Sequence, residues 1–429
     1  MSTVQSLLDS PHLLAESIAR VTGTDGDRFR LLLTRMRDDF GPHPHGDVWL
    51  ASAPGRTELS GNHTDHNNGK VLAAAIDLDS IAAAIAREDD VVRVSSEGFP
   101  TAEISLAELE PIDAEHESTT ALIRGVAAGF RRDGYRIGGF DATVSSTVLP
   151  GSGLSSSASF EVLIGVLFDA MYNDAEVGTT RVAQIGQFAE NHYFGKPSGL
   201  MDQVACATGG AVAIDFGHPD EPKIDRIDVS FEDADLALLV VDTGANHADL
   251  TDEYAAIPAD MRAVAGALGG EVLRDIRSQD FYAAVSELRK TAGDRAVARA
   301  MHFFDENVRV ERMVDALHRH AFDEYLALMT DSGRSSGLYL QNCVPISNPG
   351  EQGVVVALAL TEHYFQSSGI RIGVDGSCRV HGGGFAGTIQ VLLPVEHADQ
   401  YEQYITGYLG ERAVTRLSIR NSGATAVPA

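Results

Sequence analysis

One stretch of this chain is built to hold an anion. In Pro150-Gly151-Ser152-Gly153-Leu154-Ser155-Ser156-Ser157-Ala158-Ser159, two glycines allow tight turning and close approach of the backbone, and the serines offer hydroxyls ahead of an apolar helical pattern. A helix start carries unpaired N–H groups and a partial positive charge, which suits phosphate oxygens. The Gly-Lys-Ser/Thr ending of a Walker A loop is missing, so no lysine of this loop reaches a β- or γ-phosphate. Alone, such a loop is equally a serine-capped helix after a flexible turn. Two further stretches accompany it: Ala53-Pro54-Gly55-Arg56 with Gly61-Asn62-His63-Thr64-Asp65-His66-Asn67, and Gly382-Gly383-Gly384-Phe385-Ala386-Gly387. His63 to His66 could suggest a metal site, but no third ligand of suitable spacing follows.

Patterning supplies the elements that must position these groups. Leu13 to Phe40 reads as helical, with Phe29, Leu32, Leu33 and Met36 on one face, and Val48 to Ser52 as a short strand leading into Ala53. Further strands are expected at Ser80 to Ala86 and Val91 to Ser95, with a helix over Leu122 to Arg132. Phe140, Ala142, Val144 and Val148 alternate with polar residues, as in a half-buried strand, and Phe160, Leu163, Ile164, Leu167 and Met171 recur at helical spacing. The anion loop therefore joins a strand to a helix. An apolar strand at Leu236 to Val241, a helical middle from about Asp252 to Met329 and strands between Gly373 and Leu393 complete the pattern. His43 and His45 read as loop residues.

Bulk properties narrow the function classes. A chain of 429 residues suggests two domains, divided here into 1–235 and 236–429. With 33 basic against 61 acidic residues, the formal net charge of −28 repels nucleic acid and anionic membranes. An anionic nucleotide can still bind where backbone N–H groups, a metal ion and a few basic residues reverse the field locally. Cys206, Cys343 and Cys378 read as free thiols of a reducing compartment. Asp9, Glu16 and Arg20 interrupt the apolar residues near the start, and the longest apolar run, Val354 to Leu360, is far too short to span a bilayer. A cytoplasmic location is the expectation.

In this order the three stretches resemble the three motifs of the GHMP small-molecule kinases, and the first is similar to the galactokinase signature. Gly199-Leu200-Met201-Asp202-Gln203 extends the match. The resemblance implies an α+β, two-domain GHMP kinase fold with mixed sheets covered by helices and the active site in the interdomain crevice. It implies ATP-dependent phosphorylation of galactose at the anomeric hydroxyl. ATP would be gripped by Gly151, Ser152, Gly153, Leu154, Ser155, Ser156, Ser157, Ala158 and Ser159. Asp202 would face the reacting hydroxyl as base or aligning acceptor, and Arg56 would keep it ionised and stabilise the transferred phosphoryl. Mg2+ would sit on Ser157 and Glu190, with water completing its shell. The sugar would meet Asn62, His63, Asp65, the backbone near Gly199, and Tyr254. The triple glycine would bring backbone close to the nucleotide loop. The expected partners are sugar and ATP, without nucleic acid or membrane, and the expected assembly is a monomer or weak homodimer.

The sequence departs from the family pattern at several points. Asn62 stands where galactokinases usually carry a glutamate that receives the C6 hydroxyl, so a charged acceptor has become a neutral amide. His66 replaces a tyrosine, Glu58 an asparagine and Ala386 a glycine, and Pro150 sits one residue late. Asn62 leaves open a sister sugar 1-kinase acting on galacturonate, arabinose or N-acetylgalactosamine. A non-catalytic galactose and ATP sensor is the other alternative.

Overall fold

A computed structural model describes residues 2–21, 26–41, 46–148, 153–196, 198–244 and 250–429. Three helices open the chain: α1 (Val4–Asp9), α2 (Pro11–Val21) and α3 (Gly26–Phe40). Of the single helix expected over Leu13 to Phe40, the described parts are α2 and α3, and residues 22–25 between them lie outside the described residues. Next come β1 (Val48–Ser60), β2 (Lys70–Ala86), β3 (Val91–Ser96), β4 (Ala102–Ser105), α4 (Thr119–Arg132) and β5 (Phe140–Ser146). They are followed by α5 (Ser156–Tyr172), α6 (Thr179–Ala189), α7 (Met201–Thr208), β6 (Ala211–Asp215) and β7 (Lys223–Ile227). The remainder is β8 (Leu236–Asp242), α8 (Thr251–Ala267), α9 (Ser278–Thr291), α10 (Asp294–His318), α11 (Phe322–Ser335), α12 (Gly353–Ser368), β9 (Ser377–His381), β10 (Thr388–Pro394), α13 (Val395–Leu409), β11 (Val414–Leu417) and β12 (Thr425–Pro428).

The eight-stranded sheet runs β12-β1-β2-β5-β3-β4, with β6 pairing the first part of β2 and β7 pairing β6. Its pairs are antiparallel except β3 with β5, which makes it mixed. A second, antiparallel sheet is ordered β11-β8-β10-β9. Ala51, Ala53, Ala82 and Ala84 face Leu163, Ile164, Leu167, Phe130 and Ile185 of α4 to α6. Leu50, Ile81, Ala83 and Ile85, on the opposite face by strand alternation, pack against α1 to α3. The two sheets meet through Leu72, Ala74, Leu238, Val240, Met313 and Tyr325.

Two strands depart from expectation in ways that matter for the site. β5 is buried on both faces, not half-buried, because α3 covers its polar side. Asp141 there takes ion pairs from Arg87 and Arg93, and Thr143 donates to Leu32 O at 3.0 Å. The strand expected to stop at Ser52 runs on to Ser60. Its register with β2 shifts between Pro54 and Arg56, where proline removes a ladder donor. Gly55 is needed because a β-carbon would lie 2.8 Å from Leu154 O, and the next residue, Arg56, donates its N–H to that carbonyl at 3.1 Å. The strand that carries Arg56 is thereby joined to the anion loop.

Candidate active site

Gly151 and Ser152 lie outside the described residues. Beyond them Gly153 adopts φ +73° with its Cα against Thr388 and His381, and Ser155 adopts the left-handed conformation (φ 62°) just ahead of α5. The serines then divide. Ser155 and Ser157 point their hydroxyls at carboxylates, whereas Ser159 is fully buried, donates to Ala53 O at 2.9 Å and contacts Ser80 Oγ. Leu154 and Ala158 are core residues. The nucleotide set read from sequence therefore mixes loop groups with side chains that fasten α5 to the sheet.

Arg56 and Asp202, 146 positions apart, form a two-pronged ion pair. Arg56 Nε and an Nη each donate to one carboxylate oxygen at 2.7 Å, and the other Nη donates to Gly153 O at 2.6 Å. Ser155 also donates to Asp202 Oδ2. Asp202 occupies the first turn of α7, where the helix dipole favours an anion. Burial pushes the Asp202 carboxyl upward, but the charge and hydrogen bonds of Arg56, with Ser155, hold it below its ordinary value. It is ionised at neutral pH. Parallel charge-assisted bonds of this kind fix geometry as well as charge.

One turn before Asp202, Gly199 rests directly on Asp65, which begins a short helical turn just after β1. A β-carbon at Gly199 would fall 1.8 Å from Asp65 Oδ2. The other Asp65 oxygen accepts from His66 N–H at 3.0 Å. Nearby, His63 adopts φ +61° and donates Nε2–H to Gly383 O at 2.9 Å. Burial, assisted by His66, pushes the His63 imidazole down to about 3, so it is neutral. Tyr254 donates to Gly384 O at 2.9 Å and meets the Phe385 ring edge-on. Asp65 and Gly199 thus touch one turn before Asp202, and His63 and Tyr254 meet the neighbouring carbonyls of Gly383 and Gly384.

Asn62 does not join them. Its side chain is fully buried, with Nδ2 donating to Glu58 Oε1 at 2.9 Å and Gly382 O at 2.6 Å, while Oδ1 accepts from Asn342 at 2.6 Å. The amide expected to meet the sugar is committed to the protein interior. The triple glycine also differs from expectation: Gly382, Gly383 and Gly384 offer their carbonyls to Asn62, His63 and Tyr254, so they brace the candidate sugar residues. It is the flanking His381 and Thr388 that touch the phosphate loop.

Glu190 starts a five-residue π-helical turn (Glu190–Phe194) and is buried, where a helical glutamate is ordinarily solvated. Its Oε1 accepts from Ser157 Oγ at 2.8 Å and Lys196 Nζ at 2.9 Å, and Oε2 accepts from Gln203 Nε2 at 2.9 Å. Gln203 also donates to Glu161, whose carboxyl burial and the Glu190 charge push well above its ordinary value. The Ser157 hydroxyl and the Glu190 carboxylate are hard oxygen donors of the kind that holds a Mg2+ keeping several waters, and in this structure the Lys196 ammonium occupies that carboxylate. Among the described residues no group of three or more His, Cys, Asp or Glu is placed to hold a metal ion.

The sequence reading missed the supports. Glu306 on α10 accepts from Ser60 Oγ (2.8 Å), Gly61 N (3.1 Å) and Ser332 Oγ (2.6 Å) and pairs with Arg309. His302 donates to Asn62 O at 2.9 Å. Arg379 on β9 pairs with Glu58 and donates to Leu59 O. The available signal was the i, i+4 spacing of His302 and Glu306 among Phe303, Val310 and Met313, a polar pair on an otherwise apolar helix face.

Comparison with known proteins agrees with this geometry. Residues 121–210 match the GHMP kinases N-terminal domain, and residues 37–86 match the galactokinase galactose-binding signature. The galactokinase of Streptomyces coelicolor is 34% identical over 384 residues, covering 88% of this chain and 90% of the relative. The human galactokinase is 32% identical over 405 residues, covering 91% and 94%. In structure, Lactococcus lactis galactokinase complexed with galactose aligns with TM-score 0.76 at 24% identity, covering 91% of this chain and 98% of that one. A mevalonate kinase aligns at 0.55. The galactose-binding signature falls on the stretch bearing Arg56 and Asp65 and relatives above 30% identity match nearly end to end, so the chain belongs to the galactokinase family.

Proposed function

We propose that this protein transfers the γ-phosphoryl group of ATP to the anomeric hydroxyl of galactose, giving α-galactose 1-phosphate. The observation that carries the reading is the Arg56–Asp202 pair, with Gly153 on one side and the Asp65–Gly199 contact on the other. Phosphoryl transfer through a loose transition state needs placement and charge neutralisation more than strong base catalysis. Asp202, held ionised by Arg56, aligns the hydroxyl by accepting its proton's hydrogen bond and takes the proton as the oxygen commits to phosphorus. Asp65 accepts from neighbouring sugar hydroxyls, so an epimer that cannot donate leaves it unpaired. Arg56 and the start of α5 receive phosphate oxygens. Mg2+ would be held by Ser157 and Glu190 and would neutralise charge on the β- and γ-phosphates.

We further propose two domains, 1–235 and 236–429, and a cytoplasmic protein acting as a monomer or weak homodimer. No described helix is long and apolar enough to cross a membrane. The test of function is direct: purified protein with ATP, Mg2+ and galactose is expected to release ADP and sugar phosphate in equal amounts. Absence of sugar phosphate overturns the reading. The withdrawal of Asn62 from the sugar wall favours a second reading, a sister kinase for a sugar altered at C6 or C2. A higher kcat/KM for galacturonate, arabinose or N-acetylgalactosamine than for galactose would select it.

A further inference from the structure

The phosphate loop carries no lysine, yet a lysine from elsewhere reaches the metal carboxylate. Lys196 follows the π-helical turn; its N–H bonds back to Glu190 O at 3.1 Å, and its ammonium lies 2.9 Å from Glu190 Oε1, the oxygen that also accepts from Ser157. The turn ends at Gly195 (φ +91°), which lets the chain double back so that backbone and side chain of Lys196 both meet Glu190. Glu190 is buried, but the Lys196 side chain is 57% exposed, so its flexible stem can move while Glu190 cannot. The charge of Asp202 also acts on this ammonium.

A monovalent cation on a tethered arm and a divalent ion cannot share one carboxylate oxygen at close range without strong repulsion. We propose that Lys196 is the resident counter-ion of Glu190 and, on Mg2+ binding, exchanges onto the non-bridging oxygens of the phosphoryl group in transfer. Released from Glu190, the ammonium is attracted by Asp202 and by the phosphates arriving beside it, within the crevice where Arg56 already supplies positive charge. Lys196 is then a catalytic residue of the kinase reaction, contributing from the α6–α7 connection the cation that other phosphate loops carry themselves. The proposal rests on the kinase reading above, but half of its test does not.

The experiment compares wild type, K196M and K196R, with melting temperature and galactose binding as folding controls. Without nucleotide, the free Mn2+ signal in electron paramagnetic resonance reports metal binding, with E190Q as the blank. K196M is expected to bind Mn2+ at least about threefold more tightly, because a competing cation is gone. With saturating Mg2+, ATP and galactose, its kcat is expected to fall about 10- to 100-fold, while K196R stays within about tenfold of wild type. Unchanged Mn2+ affinity, a K196M kcat within roughly twofold of wild type, or K196R as slow as K196M would each overturn the proposal. If wild type transfers no phosphate to galactose, the reaction reading fails, and the Mn2+ titration alone still supports or overturns the exchange at Glu190.

Discussion

Gly199→Ala probes the wall shared by Asp65 and Asp202. The φ of Gly199 lies outside the left-handed region, so alanine tests space and not backbone strain. Its β-carbon would stand 1.8 Å from Asp65 Oδ2 and 2.7 Å from Cγ, where 3.0 Å is the closest approach real β-carbons make; the carboxylate must retreat by about 1.2 Å. It cannot swing freely, because Oδ1 is held by His66 N–H. A misplacement of about 1 Å in a positioning group costs about 100-fold, or ~2.7 kcal/mol. Initial rates of ADP release are therefore expected to show kcat/KM for galactose lower by about 100-fold, with KM for ATP moving by less than about threefold. Because the effect acts through Asp65, the double variant G199A/D65A should match D65A alone within about 0.5 kcal/mol. A G199A enzyme within roughly threefold of wild type, or a double variant as slow as the two losses multiplied, refutes the reasoning.

Arg56→Lys replaces a fork that grips two carboxylate oxygens and Gly153 O by a point charge, so kcat should fall about 100-fold at little changed galactose affinity by calorimetry. A kcat within about threefold of wild type would exclude the fork as a requirement. Asn62→Ala removes the amide between Glu58 and Asn342 in the interior and should cost about 1–3 kcal/mol in urea unfolding. The ratio of kcat/KM between galactose and 6-deoxygalactose should stay unchanged; a shifted ratio at full stability would put Asn62 at the sugar after all. Burial pushes Glu306 upward, but His302, Arg309 and Arg379 and the hydrogen bond from Ser332 bring it down to about 2. Its folded value lies below its unfolded one, so its contribution is complete above about pH 4.5 and is lost as pH falls toward 2. E306Q should be less stable near neutrality and lose less over that acid range than wild type; equal slopes in urea unfolding would count against the assignment.

The parts of the site legible in the sequence were those that chain neighbours define. The alternation of Phe140 to Val144 and the helical spacing after Ser159 bracket the phosphate loop, and Arg56, Asp65, Gly199 and Asp202 were all readable as motif members. What escaped was set by packing across long separations. Asn62 looks like any polar loop residue until Glu58, Gly382 and Asn342 close on it. The short strand read at Val48 to Ser52 continues through a register shift at Pro54 to Arg56 and on to Ser60, a continuation with no alternation to announce it. Glu190 opens a π-helical turn and Lys196 follows it, so their meeting is announced by no 3.6-residue pattern. His302, Glu306 and Arg379 touch the first motif from more than 200 positions away.

The edge of the larger sheet has a consequence for how the protein is made. β12, residues 425–428, pairs with Trp49 to Ser52 at the start of the strand that carries Arg56, and the same end is fastened by Arg20 to Pro428 O at 2.7 Å. On the ribosome, β1 and β2 emerge well before β12, so the outer side of β1 stays unpaired until β12 has been translated. Until then an apolar strand edge stands open, a template for pairing with another nascent chain. The strand that carries Arg56 is therefore protected along its outer side only once β12 is made, and a truncation before Thr425 that spares every candidate site residue would leave that edge open.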